Sequence, residues 1–370
     1  MAGWQYKKFF ESILPCHENG LESFVGAASY CVIIVVIALY LLRKTNRMRI
    51  YLAFGLIKDY DYLKDIQHNS NPHKPVLIWE NALLLVQGHL LAVFALYLLT
   101  FVARWPTPFW AFQLWFWPSF ATTAGSHMLY SHRSYKCTRL YHILMVCLQS
   151  GSMQNSIIHW ARDHRTHHKF TDTNADPSNI KRGVFFSHIG WLLYEKHPDV
   201  IRNGRKVDIS DLTNNAILAY QQKYLPLFYA AFHLFMSVFV PMYFWRERFW
   251  VSWFCCLTLP WIVGLNTAGL ANWYLHIGGT RPYSSKITAT DGPAWRHMVT
   301  LGSGDHNFHH VFPRDYTESE FRSPFLVAKW LIDFFGLFGM TYDKIVTDPE
   351  TIRKQRERSR AVVRLRDLEY

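Results

Sequence analysis

His164–Arg165–Thr166–His167–His168 and His306–Asn307–Phe308–His309–His310 share one spacing, HxxHH, and a third cluster, His127–Met128–Leu129–Tyr130–Ser131–His132, precedes them. At this histidine content, chance alone would give on the order of 0.05 HxxHH patterns, so two carry a signal. Imidazole binds transition metals while neutral, and eight of them in three clusters suggest more than one ion. On a helix, positions i, i+3 and i+4 share a face, so each HxxHH triplet points one way. Asn272 and His276, four apart in Asn–Trp–Tyr–Leu–His, also share a face. The five-residue step from His127 to His132 turns an α-helix through about 140°. That pair is therefore expected where a helix ends, with one ligand on the helix and one past a bend.

Single histidines carry less weight. His89 and His233 lie in apolar stretches and are read as hydrogen-bonded core residues; His159 and His197 fall outside the spacing pattern. For the clusters the reading inverts, because stacked imidazoles repel on protonation and add nothing to a fold. Asp163, Asp172 and Asp176 fit two roles: orienting ligand tautomers, or capping helices and turns.

The rest of the 370 residues says where such ions would sit. Half of them are apolar and 17% aromatic, and long apolar runs alternate with strongly polar stretches. That pattern fits an integral membrane protein with large aqueous segments. The net charge of +12 points to anionic lipid or a polyanionic substrate. Nucleic acid is disfavoured, because the basic residues flank apolar spans and no DNA- or RNA-binding motif is present. The six cysteines are scattered, two of them adjacent inside an apolar run, and read as free thiols.

Five stretches approach the roughly 20 apolar residues needed to cross a bilayer: 24–42, 82–102, 109–124, 224–245 and 249–270. The first begins too far from the N-terminus for an ordinary cleaved signal and reads as an anchor. The next four form two pairs across short turns, which makes each pair an antiparallel hairpin. Of the 39 Lys and Arg, 7 lie in 43–75, 13 in 125–223 and 14 in 271–370, whereas the hairpin turns hold three. Positive charge stays cytoplasmic, so these segments and all the histidine clusters are expected on the cytosolic side. Arg353 to Arg366 reads as a basic helical strip.

The clusters resemble those of the animal acyl-CoA Δ9 (stearoyl-CoA) desaturases, as do Gln154–Asn–Ser–Ile–Ile–His–Trp160–Ala–Arg162–Asp163–His164, Lys169–Phe–Thr–Asp–Thr–Asn–Ala–Asp–Pro177 and Phe186–Ser–His–Ile–Gly–Trp–Leu–Leu193. The likeness runs from about Pro75 to Asp348, which implies a divergent region 1–75, a desaturase domain 76–348 and a basic cytosolic tail 349–370. It implies an all-α integral membrane fold, with a stem of four helices (five with the N-terminal span) under a cytosolic helical cap in the endoplasmic reticulum membrane. It implies two iron ions bound by His127, His132, His164, His167, His168, His276, His306, His309 and His310, with Asn272 reaching a metal through water. The implied substrates are a fatty acyl-CoA and O2. The implied electron donors are cytochrome b5 and its NADH reductase, since the chain carries no flavin, nicotinamide or haem motif. Asn81, Arg162, Asp163 and Lys196 match head-group contacts, Gln154 and Trp160 line the acyl tunnel, and Trp115 and Ser119 match positions that set chain length. A bulky Trp115 implies a shorter acyl chain.

The chain also departs from that pattern. Met128 and Tyr130 replace Arg and Trp in the first cluster. Ser303 and Asp305 replace the Glu and aromatic of Gly–Glu–Gly–x–His, Glu80 and Glu195 stand where Arg is common, and Ala268–Gly269 replace Thr–Trp. All nine ligands are kept, so a desaturase introducing a cis double bond is expected. The competing readings are a histidine-box lipid hydroxylase and an inactive metal-binding scaffold.

Overall fold

The computed structural model describes residues 75–368 apart from residue 322, with side chains as far as residue 362. The expected span at 24–42 lies outside these residues. The described chain is helical, apart from isolated bridges and one two-residue antiparallel ladder that pairs Lys136–Cys137 with Thr341–Tyr342.

Helix α1, Trp79–Phe101, is a run of Leu and Ala with no charge after Glu80. It buries Leu85, Gly88, Ala92 and Ala95 but leaves Leu83, Val86, Leu90 and Val93 exposed. Each such side chain would cost about 1.5–3 kcal/mol in water relative to burial, so the exposed stripe suits lipid. Gly88 marks a close helix crossing, since a Cβ there would lie 2.8 Å from Ile262 Cδ1. Helix α2, Pro106–Phe120, starts on a favourable N-terminal proline and continues as a π-helix over Ala121–Ser131.

On the other side of the second cluster, α5 covers Leu225–Trp245 and α6 covers Phe249–Tyr274. Each contains a π-helical segment (His233–Phe239 and Trp253–Thr258) just before an interior proline, Pro241 or Pro260, whose missing N–H disturbs the regular ladder. Among the described residues, α1, α5 and α6 are long and apolar enough to cross a membrane. The expected span at 109–124 falls within α2 and its π-helical continuation and does not join them; its Trp, Pro and Gln residues dilute its hydropathy. The two hairpin turns meet at one end. Glu247, buried in the second turn, accepts from the Arg104 backbone N–H of the first at 2.8 Å and from its own neighbour Arg248 at 3.0 Å.

The polar segments form shorter helices: α3 (Arg139–Ser150), capped by Thr138, and α4 (Ile157–Phe170), capped by Ser156. Then follow α7 (His306–Val311), α8 (Val327–Leu337) and α9 (Pro349–Leu368), the last covering the basic strip. Phe120, Met128, Tyr141, Met145, Ile157, Ala161 and Ile332 share one core, so α2, its π extension, α3, α4 and α8 pack as a unit.

Candidate metal centre

The nine histidines converge as two groups. His127, His132, His164, His168 and His309 form one; His167, His276, His306 and His310 form the other. Within each group one ring nitrogen per residue lies within 4.8 Å of all the others. Helix geometry explains the division. Positions i and i+4 differ by about 40° around an α-helix, and i+3 lies on the opposite flank of that stripe. So α4 gives His164 and His168 to the first group and His167 to the second. In turn, α7 gives His306 and His310 to the second group and His309 to the first. Each helix serves both groups, in reversed proportion.

The first cluster departs from expectation. His127 is not separated from His132 by a bend: the His132 N–H donates to the His127 carbonyl at 3.1 Å, the i to i+5 bond of a π-helix. Five residues then make roughly one turn, and both rings point the same way. The bend follows at Arg133, whose φ is +54°. Asn272 sits in the last turn of α6, and His276 follows in the turn beyond, its N–H on the Trp273 carbonyl.

Ring nitrogens face one another at short range: His127 and His309 Nε2 are 2.9 Å apart, His132 and His164 Nε2 2.9 Å, and His306 and His310 Nε2 3.1 Å. Burial, and then neighbouring histidines, hold His132, His164, His168, His306, His309 and His310 well below the usual imidazole range. His276 is pushed down to about 3, chiefly by burial. Only neutral rings present lone pairs to a metal. His167 differs, because Asp176 outweighs its burial and raises it.

Carboxylates and a hydroxyl stand behind the rings. His167 Nδ1 is 2.8 Å from Asp176 Oδ1, and Asp176 also accepts the Asp172 and Ser178 N–H groups. His276 Nδ1 is 2.8 Å from Thr288 Oγ1, which donates to Asp172. His127 Nδ1 is 2.8 Å from Glu318 Oε1. Asp176 and Glu318 are both about 3% exposed, and among the described residues neither pairs with Lys or Arg. Buried anions with no Lys or Arg partner, each set behind an imidazole, fit a site completed by metal cations. The buried His276 Nε2 makes no hydrogen bond, which fits the same reading.

A single cavity is lined by His127, His164, His167, His276 and His306, and also by Asn272, Gln154, Trp160, Asp163, Lys196 and Ser119. Asp163 pairs with Lys196, not with a ligand; although burial opposes it, Lys196, His159 and Arg162 hold its carboxyl well below the usual range. Three expected substrate contacts are not among the lining residues. Asn81 is buried and donates to the Leu192 carbonyl at 2.7 Å, Arg162 leans on the His159 ring, and Trp115 packs beside Ser119 across Gly264. His159, set aside in the sequence as a lone histidine, does line the cavity. His89 and His233 stay outside both groups, bonded to Leu85 and Ser237. Sequence reasoning did not single out Glu318 or Thr288, because neither belongs to a ligand motif.

Long lipid-suited helices together with two groups of closely packed imidazoles define a helical membrane protein able to hold two metal ions. The family model "Fatty acid desaturase" matches residues 120–318, which span all three clusters. The chain is 38% identical to Delta(9)-fatty-acid desaturase fat-7 of Caenorhabditis elegans over 303 residues, 81% of this chain and 89% of that one. It is 39% identical to stearoyl-CoA desaturase 5 of Bos taurus (78% and 85% covered) and to an acyl-CoA Delta(11) desaturase of Spodoptera littoralis (76% and 83%). The chain belongs to the fatty acid desaturase family.

Proposed function

We propose that this membrane oxidoreductase is an acyl-CoA desaturase that forms a cis double bond in a saturated fatty acyl chain, at Δ9, with two irons as its cofactor. The observation that carries the reading is the division of nine imidazoles into two groups, both of which contribute rings to a cavity that Asp163, Lys196 and Ser119 also line. Iron held by His127, His132, His164, His168 and His309, and by His167, His276, His306 and His310, would supply the dioxygen chemistry that an unactivated C–H bond requires. No side-chain base removes such a hydrogen.

The protein's own groups bind and orient. Asp176 and the Thr288–Asp172 pair fix the tautomers of His167 and His276, turning Nε2 toward the centre. Lys196, supported by Asp163, meets the anionic head group, with Asn81 and Arg162 beside it, while Gln154 and Trp160 flank the acyl chain near the ligands. Asn272 holds a water toward the second site. Overall, the chain loses two hydrogens, a donor gives two electrons, two protons enter, and O2 becomes two waters. We assign the donor role to cytochrome b5 and its NADH reductase, docked on the basic face, and the location to the endoplasmic reticulum membrane. Four spans (82–102, 109–124, 224–245 and 249–270) form the stem of a domain at 76–348, and the metal site faces the cytosol.

Expression in desaturase-deficient yeast, with new double bonds located by mass spectrometry, tests this reading. A cis bond at C9 is the expected product. An acyl chain that gains oxygen without losing two hydrogens would instead make the protein a hydroxylase. No change at all would favour a scaffold.

A further inference from the structure

Glu318 lies outside every ligand motif, yet its carboxylate is buried between two ligands that come from distant parts of the chain. Its Oε1 is 2.8 Å from His127 Nδ1, at the end of the α2 π-helix, and 3.6 Å from His309 Nδ1, on α7. The Nε2 atoms of the same two rings face each other at 2.9 Å. We propose that Glu318 is a positioning residue for the five-histidine site, setting both rings so that each turns Nε2 toward one shared metal, in place of a carboxylate at position 303. The inference rests on the metal binding proposed above.

Three observations support the placement. First, Ser303 Oγ donates to Glu318 Oε2 at 2.7 Å. Where the sequence pattern leads one to expect Glu, this chain carries a short hydroxyl that touches the carboxylate instead. A carboxylate at 303 and one at 318 would compete for the same buried space, so the two positions read as alternative sources of one charge. Second, Glu318 has φ +54°, a left-handed backbone that is strained for a non-glycine residue. The adjacent Ser319 donates to Asp305, the residue just before α7, so the strained loop is tied to the helix that carries His309. Third, among the described residues no Lys or Arg pairs with Glu318, and its Oε1 makes no aligned hydrogen bond although buried. A buried carboxylate in that position is explained by two imidazoles that become partly positive on binding a metal.

Anaerobic iron titration of the full chain in detergent, followed by iron content and 57Fe Mössbauer spectroscopy, tests the proposal without using activity. Wild type should take up two irons. Glu318→Ala should weaken one of them by about 10–100-fold and leave the other unchanged. Glu318→Gln, which keeps size and backbone, should weaken the same iron. In Ser303→Glu/Glu318→Ala the affinity should return most of the way to wild type. Undisturbed affinity at both irons in Glu318→Ala overturns the proposal, as does equal loss of both irons in Glu318→Gln. A double variant as weak as Glu318→Ala overturns it too. If wild type itself binds no iron, the metal reading fails and takes this inference with it.

Discussion

His167 and Asp176 show how a proposed ligand is tuned by the residue behind it. Asp176 sits 2.8 Å from His167 Nδ1, carries two backbone N–H bonds, and holds the ring with Nε2 toward His276, His306 and His310. Asp176→Asn should keep the shape but weaken iron at the four-histidine group by about 10–100-fold, read by metal titration. Trp115 belongs to the same scale. It packs beside Ser119, which lines the cavity, so Trp115→Ala should shift the product profile toward longer acyl chains; an unchanged palmitoyl-to-stearoyl ratio would argue against a gauge at this position. Six of the nine histidines were legible from HxxHH, which states both residue type and helical register; His127 and His132 came from their own cluster, and His276 from the resemblance. Their division between two groups was not, since it depends on how α4 and α7 face each other. Glu318 and Thr288 lie in loops that no spacing rule reaches.

Arg165 links elements as no ligand does. From α4 it donates to the Ser131 and Tyr130 carbonyls at the end of the π-helix, at 3.0 and 2.6 Å, and to both oxygens of Asp211 at 2.8 Å. One guanidinium thus holds the segment with His127 and His132 against the helix with His164 and His168. Although partial burial opposes it, Arg165 and Arg133 lower the Asp211 carboxyl to about 2. A carboxyl depressed in the folded state stabilises above its unfolded value, near 4, and that contribution is lost as pH falls through about 2. Asp211→Asn should therefore melt below wild type at pH 7, and the two melting curves should converge toward pH 2. A constant gap at every pH would show that charge is not the link. The π-helix was beyond sequence reasoning, because nothing in Ala121–Ser131 distinguishes i to i+5 from i to i+4 winding. The expected bend between His127 and His132 was a fair reading of α geometry that this local winding overrode.

At the scale of the molecule, hydropathy and charge counting led to two antiparallel hairpins, and Glu247 of the second turn, bonded to the Arg104 N–H of the first, brings the two turns together. The 109–124 stretch, proposed as a span, is rich in aromatic residues that suit an interface as well as the bilayer interior, and α2 is not among the described helices long and apolar enough to cross a membrane. The same charge count predicts that a tag after Tyr370 is digested in intact microsomes while one inserted at Arg246 is protected; the reverse pattern would invert the proposed orientation. The account depends most on the histidines holding iron, and elemental analysis of the purified full chain tests it most directly. About two irons per chain are expected, falling in His167→Ala together with loss of turnover while membrane insertion persists. Folded protein without iron, or His167→Ala with a full complement of it, would contradict the account.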